Sequence, residues 1–479
     1  MELNTILIAI TVVVGFYMAW NIGANDVANA MGTSVGSRAL TLKHAVIIAA
    51  ILEFAGAFLV GSHVTDTVRK GIIDLGMFVS APELLLYGMI SALLAAALWL
   101  QLATYFGLPV STTHSIVGAI IGFALVAGGA AAVSWPVVGK IVSSWVVSPL
   151  LGGVISFLIF SLIRRSVLND PNPIRATKRI APFLVFAVFF ILTLVMLFKG
   201  LKQLHLDLSF QGSLQMAVIV GLIFAALSRW LISYYLDRGA FLDEQILGEN
   251  EQKIKLDHKL TQVAALLSDC KDEIGGQDRQ QLESLESEVS ACLSQVKRKG
   301  QNRLQEKKAL KVVERIFVFL QILSACFVAF AHGANDVANA IGPMAAVISI
   351  IKTGTVEMQV GVPLWVLGLG GIGIVIGLST WGWKVIETIG KKITELTPTR
   401  GFSAEFGAAT TIVIASKMGL PISTTHTLVG SVLGVGFARG VASLNMVVIR
   451  NILLSWFVTL PAGGILAALI FQLMTTVFP

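Results

Sequence analysis

The amino-acid sequence predicts an all-α polytopic membrane protein made of two homologous halves, with a polar helical insert between them. Three observations predict it: a shortage of charge, a series of long apolar runs, and a pair of polar motifs that occurs twice in the same order. Of 479 residues, 55% are hydrophobic and 13% are charged, against about 25% charged in ordinary soluble proteins. The runs Ile6–Trp20, His44–Val60, Leu84–Leu102, Val137–Ile163, Pro182–Phe198, Leu214–Ile232, Ile316–Phe330, Leu364–Thr380 and Val447–Leu473 are nearly free of charge. About 20 apolar residues cross a bilayer core as a helix, and only helices and closed barrels satisfy their backbone groups in lipid. Barrel strands would alternate in polarity, whereas these runs are apolar on every face, so helices are expected. Several runs are short or interrupted by Gly, Pro or polar residues. That predicts roughly ten to twelve membrane segments, some of them discontinuous. The first run has no basic leader and passes straight into a polar motif, so it is expected to be a membrane segment rather than a cleaved signal.

The repeat is the strongest feature. Gly23-Ala-Asn-Asp-Val-Ala-Asn-Ala30 recurs unchanged from Gly333 to Ala340, and Leu108-Pro-Val-Ser-Thr-Thr-His-Ser115 recurs as Leu420-Pro-Ile-Ser-Thr-Thr-His-Thr427. Weaker echoes keep the register. Ser144-Trp145 with Gly152-Gly153 matches Ser455-Trp456 with Gly463-Gly464, and Thr67-Val68-Arg69-Lys70 resembles Thr388-Ile389-Gly390-Lys391. Two ordered motif pairs at nearly the same offset imply a duplication. The expected organisation is a first membrane repeat at 1–165, a loop and two linking membrane helices at 166–236, a cytoplasmic insert at 237–311, and a second membrane repeat at 312–479.

Within the insert, Leu256, Leu260, Val263, Leu267, Cys270 and Ile274 alternate steps of four and three, and Leu282, Leu285, Val289, Cys292 and Val296 do so after Gly275-Gly276. That is the seam of a helical hairpin, read as a solvated spacer that packs on itself or on a second subunit. A regulatory domain is the alternative. The three cysteines, Cys270, Cys292 and Cys326, have no ligand-like spacing, so neither a disulfide framework nor a zinc site is expected. The net charge of +7 reads as topology rather than nucleic-acid binding. Arg164, Arg165, Arg175, Lys178 and Arg179 crowd one loop and another basic cluster runs from Lys297 to Arg315. Both are expected on the cytoplasmic side, and the two apolar segments between them make that consistent.

The duplicated motifs carry the chemistry. Asn25, Asp26 and Asn29, with Asn335, Asp336 and Asn339, place carboxylates and amides at the end of apolar helices, where they are costly without a cavity, a cation or mutual hydrogen bonds. Gly23 and Gly333 would permit a local helix break that frees backbone carbonyls. Carbonyl, amide and carboxylate oxygens together suit a hard monovalent cation such as sodium. The alternative is that Asn-Asp caps a broken helix. Ser111, Thr112 and Thr113, with Ser423, Thr424 and Thr425, follow a proline and precede an apolar run, as at the start of a helix. Two helix N-termini inside the membrane would aim unpaired N–H groups and a positive dipole end at an anion. Hydroxyls add donors without fixed charge, so a tetrahedral oxyanion could be surrounded and still released. Simple capping is the competing reading. His114 and His426 could orient the cap, donate to the anion or bond within the bundle, and the structural role is favoured. Glu53, inside an apolar run, and Glu405, just before the second hydroxyl motif, are candidate cation or proton sites or members of buried pairs. Lys384 and Glu387 are spaced to pair with each other, and Trp145 and Trp456 to pack or anchor.

On these residues the sequence resembles the inorganic phosphate transporter family, the sodium/phosphate symporters. The resemblance covers both halves and leaves out the insert. It implies inverted repeats, re-entrant hairpins carrying the Ser-Thr-Thr tips, and a homodimer. It also implies phosphate near the midplane between Ser111–Thr113 and Ser423–Thr425, lined by Asp26 and Asp336. Sodium would be held by Asn25, Asp26, Asn29, Asn335, Asp336 and Asn339. The expected activity is cation-coupled phosphate symport by alternating access, with no cofactor beyond co-transported sodium and no enzymatic step. The expected partners are phosphate, sodium or protons and the lipid of an inner or plasma membrane. Proton coupling, sulfate or another oxyanion as cargo, and a passive anion channel are the rivals. A hydrolase built on Ser111, His114 and Asp26 is disfavoured, because one nucleophile would need no second copy.

Overall fold

The computed structural model describes residues 2–61, 71–197, 209–237, 259, 261–263, 265–267, 277–357, 361–417 and 422–478. Among them the chain is helical, with one isolated antiparallel bridge between Ile73 and Val133. The first half contributes α1 (Glu2–Gly36), α2 (Leu42–Val60), α3 (Pro82–Tyr105), α4 (Thr112–Gly128) and α5 (Trp135–Ile163). Two further helices follow, α6 (Pro173–Val195) and α7 (Phe210–Asp237). The second half contributes the end of α8 (Gln277–Asp336), α9 (Ala338–Thr353), α10 (Leu364–Thr380), α11 (Trp383–Glu387), α12 (Pro398–Lys417), α13 (Thr424–Arg439) and α14 (Met446–Val477).

Among the described residues nine helices are long and apolar enough to cross a membrane, or ten if α10 and the segment Trp383–Lys392, bent by 56°, are one span. That falls at or below the expected range. Two helices of the second half stay outside the candidate spans: α12, for its Thr, Ser, Arg and Glu content, and α13, which has only 16 residues.

Two compact units divide the chain. The larger comprises Met1–Arg165, Pro182–Ala226 and Phe317–Pro479, and the smaller Ser166–Ala181 and Leu227–Ile316. In the larger unit, α4 packs on α14 and α3, while its counterpart α13 packs on α5 and α12. The same exchange relates α3 on α9 to α12 on α1. Each half therefore leans on the other rather than forming a bundle of its own.

Glycines make these crossings close. A Cβ on Gly122 would lie 2.1 Å from the Gly464 carbonyl oxygen, and one on Gly434 would lie 2.0 Å from that of Gly153. Gly118 and Gly430 do the same one turn earlier, against Leu460 and Pro149. Small residues four apart let two membrane helices touch backbone to backbone. The echoes Gly152-Gly153 and Gly463-Gly464 are thus the receiving faces of these contacts. On the far side of the larger unit, Phe189 of α6 stacks on Phe224 of α7 at 3.6 Å and meets Phe327 of α8 edge-on at 5.5 Å.

The expected break at Gly23 and Gly333 does not occur. α1 runs unbroken through Gly23, and in the second half the helix is interrupted at Val337 instead, between α8 and α9. Both glycines serve close approach. A Cβ on Gly23 would sit 2.0 Å from the Ile374 carbonyl oxygen, and on Gly333 2.1 Å from that of Glu53.

In the smaller unit, the chain leaves a π-turn at Arg164–Leu168 and enters α6, where the Asn172 side chain accepts a hydrogen bond from the Arg175 amide at 3.1 Å. The second part of the insert is the start of α8, a helix of 60 residues that continues without interruption into the membrane segment. The expected boundary at 311/312 therefore falls inside one helix. Along its described seam Leu285 and Cys292 are exposed and Val289 is half-buried. Leu256, Leu260, Cys270, Ile274, Gly275 and Gly276 lie outside the described residues, as do Thr67-Val68-Arg69-Lys70.

Candidate functional site

The two Ser-Thr-Thr motifs begin α4 and α13. Ser111 and Ser423 are the N-caps, and their hydroxyl oxygens accept hydrogen bonds from the His114 amide at 3.2 Å and the His426 amide at 3.1 Å. Capping and anion binding are compatible, because the capping oxygen uses a lone pair and leaves the hydroxyl proton to donate. The threonines that follow turn toward the other motif.

Thr112 donates to Asp26 Oδ2 at 2.7 Å, and Thr424 donates to Asp336 Oδ2 at 3.3 Å. Across the halves, Asn29 donates to Thr425 at 2.8 Å while Asn339 donates to Thr113 at 3.3 Å. Each asparagine also reaches the aspartate of its own motif, Asn29 at 2.9 Å and Asn339 at 3.5 Å. Thr425 adds a bond to Asp26 Oδ1 at 3.1 Å. Asp26 thus accepts from both hairpins, one oxygen for each. Asp26, Asp336, Asn29, Asn339, Thr112 and Thr425 are all buried.

Asn25 stands apart. Its amide donates to Thr104 Oγ1 at 2.8 Å and to the Leu108 carbonyl at 3.1 Å, and its oxygen accepts from the Val110 amide at 3.2 Å. These bonds staple the turn between α3 and α4 and use both amide protons and one of the oxygen's two lone pairs. Asn335 donates to Asp336 Oδ1 at 3.0 Å and is half-buried. Leu420 and Pro421, which would form the matching turn of the second hairpin, lie outside the described residues.

His332 is a member of this centre that the motif reading missed. Its Nε2 lies 3.0 Å from Asp336 and 3.5 Å from Asp26, and its Nδ1 lies 3.3 Å from Glu53. Asp26, His332 and Asp336 could together hold a metal ion. Glu53 is therefore brought to the centre through His332. Glu405 belongs to a second polar cluster, where Thr33 and Ser324 donate to it, Ser34 does so at 2.9 Å, and Gln321 at 3.4 Å. The structure satisfies that carboxylate with hydroxyl and amide donors.

A signal for His332 was present in the repeat. Gly333 is preceded by His332 where Gly23 is preceded by Ile22, and Ser91–Val110 aligns without a gap on Ser403–Ile422 to place Leu93 opposite Glu405. The reciprocal glycine contacts pair Glu53 with Ile374. Ionisable groups thus occupy one member of three pairs whose other member is apolar.

Two helix N-termini and two carboxylates thus meet in a buried polar centre of a multi-pass helical membrane protein. Comparison with known proteins specifies the class. A family model described as the phosphate transporter family matches residues 22–467. The chain is 46% identical to inorganic phosphate transporter 2-1, chloroplastic, of Arabidopsis thaliana, over 98% of this chain and 72% of that one. It is 41% identical to a putative phosphate permease of Haemophilus influenzae, over 98% of this chain and 97% of that one. A solved structure described as the sodium-dependent phosphate transporter is 38% identical, with a TM-score of 0.75, covering 98% of this chain and 100% of that one. The chain belongs to the phosphate transporter family.

Proposed function

We propose that this chain is a sodium-coupled phosphate symporter that works by alternating access, with phosphate held between the N-termini of α4 and α13. One observation carries the reading: the two hydroxyl-bearing helix starts converge on Asp26, joined by the reciprocal bonds of Asn29 and Asn339. Helix N-termini and threonine hydroxyls offer donors without net charge. The anion is then bound by direction rather than by a fixed cation, which keeps release possible.

A phosphate beside Asp26 and Asp336 meets like charge. Two devices relieve it. Sodium held by the oxygens of Asp26, Asp336, Asn29 and Asn339 offsets the charge, and by linkage sodium and phosphate raise each other's affinity. A carboxylate can also accept a hydrogen bond from protonated phosphate. Sulfate at neutral pH carries no such proton, so the same carboxylate selects against it. The repeats 1–165 and 312–479 rearrange about this centre, and their exchanged contacts support a two-fold relation between them.

His332, set among Asp26, Glu53 and Asp336, supports one rival, proton coupling through the same residues. The experiment is uptake of radiolabelled phosphate into proteoliposomes under an inward sodium gradient and, separately, an inward proton gradient. Sodium alone should drive concentrative uptake, with competition by arsenate and not by sulfate. Uptake driven only by protons would transfer the coupling role to the His332 cluster.

A further inference from the structure

Directly behind the two anion-facing helix starts stand four aromatic rings. His114 packs on Trp145 with centroids 3.7 Å apart, His426 stacks on Trp456 at 3.6 Å, and the two histidines meet edge to face at 4.4 Å. The order Trp145, His114, His426, Trp456 crosses four helices, α5, α4, α13 and α14, two from each half. His114 and His426 are 1% and 3% exposed. The ring nitrogens of His114 have no hydrogen-bond partner among the described residues, while the His426 ring also meets the Trp145 backbone, so the rings make most of their contacts through faces and edges. Each histidine is the residue after a site threonine, Thr113 or Thr425, and its amide is the one capped by Ser111 or Ser423. Trp456 extends the column to the first hairpin's turn, donating from Nε1 to the Pro109 carbonyl at 3.1 Å.

A rigid column between two helix starts fixes how far apart they sit, because aromatic rings neither compress nor adopt many rotamers. We propose that the Trp145–His114–His426–Trp456 column is the spacer that sets the width of the anion site, which makes His114 and His426 positioning residues that determine oxyanion selectivity. The inference rests on the reading that phosphate binds between the two N-termini. It assigns the selectivity to ring shape rather than to imidazole hydrogen bonding. Phenylalanine in place of His114 keeps a flat ring of similar size and removes two unpartnered polar atoms, an exchange that costs little; in place of His426 it keeps the ring and gives up at most the one contact with the Trp145 backbone. Alanine removes the spacer and frees the helix starts to shift, and a misplacement of about 1 Å can cost about a hundredfold in activity.

The test measures the KM and Vmax of phosphate uptake, together with the phosphate-to-arsenate preference, for His114→Phe, His426→Phe, His114→Ala and His426→Ala in proteoliposomes. The phenylalanine variants should stay within about threefold of the wild type. The alanine variants should raise the phosphate KM about tenfold or more, change the preference between the two anions, and alter Vmax far less. Where alanine prevents reconstitution, leucine, which fills most of the volume but offers no flat face, takes its place with the same expectation. A tenfold loss in the phenylalanine variants would overturn the proposal, since the nitrogens would then serve the ligand directly. So would alanine or leucine variants with unchanged KM and unchanged preference. Thr112→Val and Thr424→Val, measured alongside, separate the two levels. If they weaken phosphate uptake while the histidine variants do not, only the spacer fails; if they too leave uptake unchanged, the anion site itself is misplaced.

Discussion

Asp26 receives Thr112 from one helix start and Thr425 from the other, at 2.7 and 3.1 Å, so its charge organises both ends of the proposed anion site. Asp26→Asn keeps the shape and removes the charged acceptor. Two charge-assisted bonds at about 1.5–3 kcal/mol each translate into a loss of phosphate uptake of about a hundredfold or more, read as initial rate under a sodium gradient. Asn25 makes the opposite prediction. Because its amide is spent on Thr104, Leu108 and Val110, Asn25→Ala should raise the phosphate KM and leave the sodium concentration for half-maximal uptake unchanged. A shift in that sodium concentration would return Asn25 to the cation site. Most of the centre was legible as residues, because Asp26, Asn29, Thr112 and Thr113 recur as Asp336, Asn339, Thr424 and Thr425. His332 was not, because a search for what repeats passes over positions where the copies differ. Read as differences, Ile22 against His332 and Leu93 against Glu405 mark where one copy carries an ionisable group that the other lacks.

At the scale of elements, the glycines decide how closely α4 meets α14 and α13 meets α5. A methyl group on Gly434 would lie 2.0 Å from a backbone oxygen and 2.4 Å from Ser156 Oγ, with a rigid helix behind the former. Gly434→Ala should therefore destabilise the protein by about 1–3 kcal/mol and lower the unfolding temperature in detergent, whereas Gly139→Ala, with nothing near its Cβ, should leave it unchanged. The elements were less legible than the residues. Gly23 and Gly333 read as breaking points, because glycine is permissive in both roles and only the neighbour, here Ile374 or Glu53, distinguishes a break from a close contact. The edge between insert and membrane read as a domain boundary, because polarity changes sharply there. Helix hydrogen bonding follows the backbone and is indifferent to that change, so α8 runs straight through it.

For the whole molecule, the duplication shows in the arrangement: α4 on α14 is returned by α13 on α5, α3 on α9 by α12 on α1, and at the centre the reach of Asn29 to Thr425 by that of Asn339 to Thr113. Two equivalent helix ends aimed at one point are the arrangement that the proposed alternating access calls for. The asymmetric groups stand outside that plan: His332 and Glu405 come from the second half and Glu53 from the first, each facing an apolar counterpart in the other copy. The most direct measurement is equilibrium binding of radiolabelled phosphate to purified protein in saturating sodium, comparing wild type with Thr112→Val, Thr424→Val and the double variant. Thr112 and Thr424, whose single protons go to Asp26 and Asp336 in this structure, would turn them to bound phosphate. Loss of one hydroxyl donor to a charged ligand costs about 1.5–3 kcal/mol, so each single variant should bind about ten- to a hundredfold more weakly, and the double variant should show no measurable binding. Wild-type affinity in both single variants would contradict the placement of phosphate between the two helix N-termini.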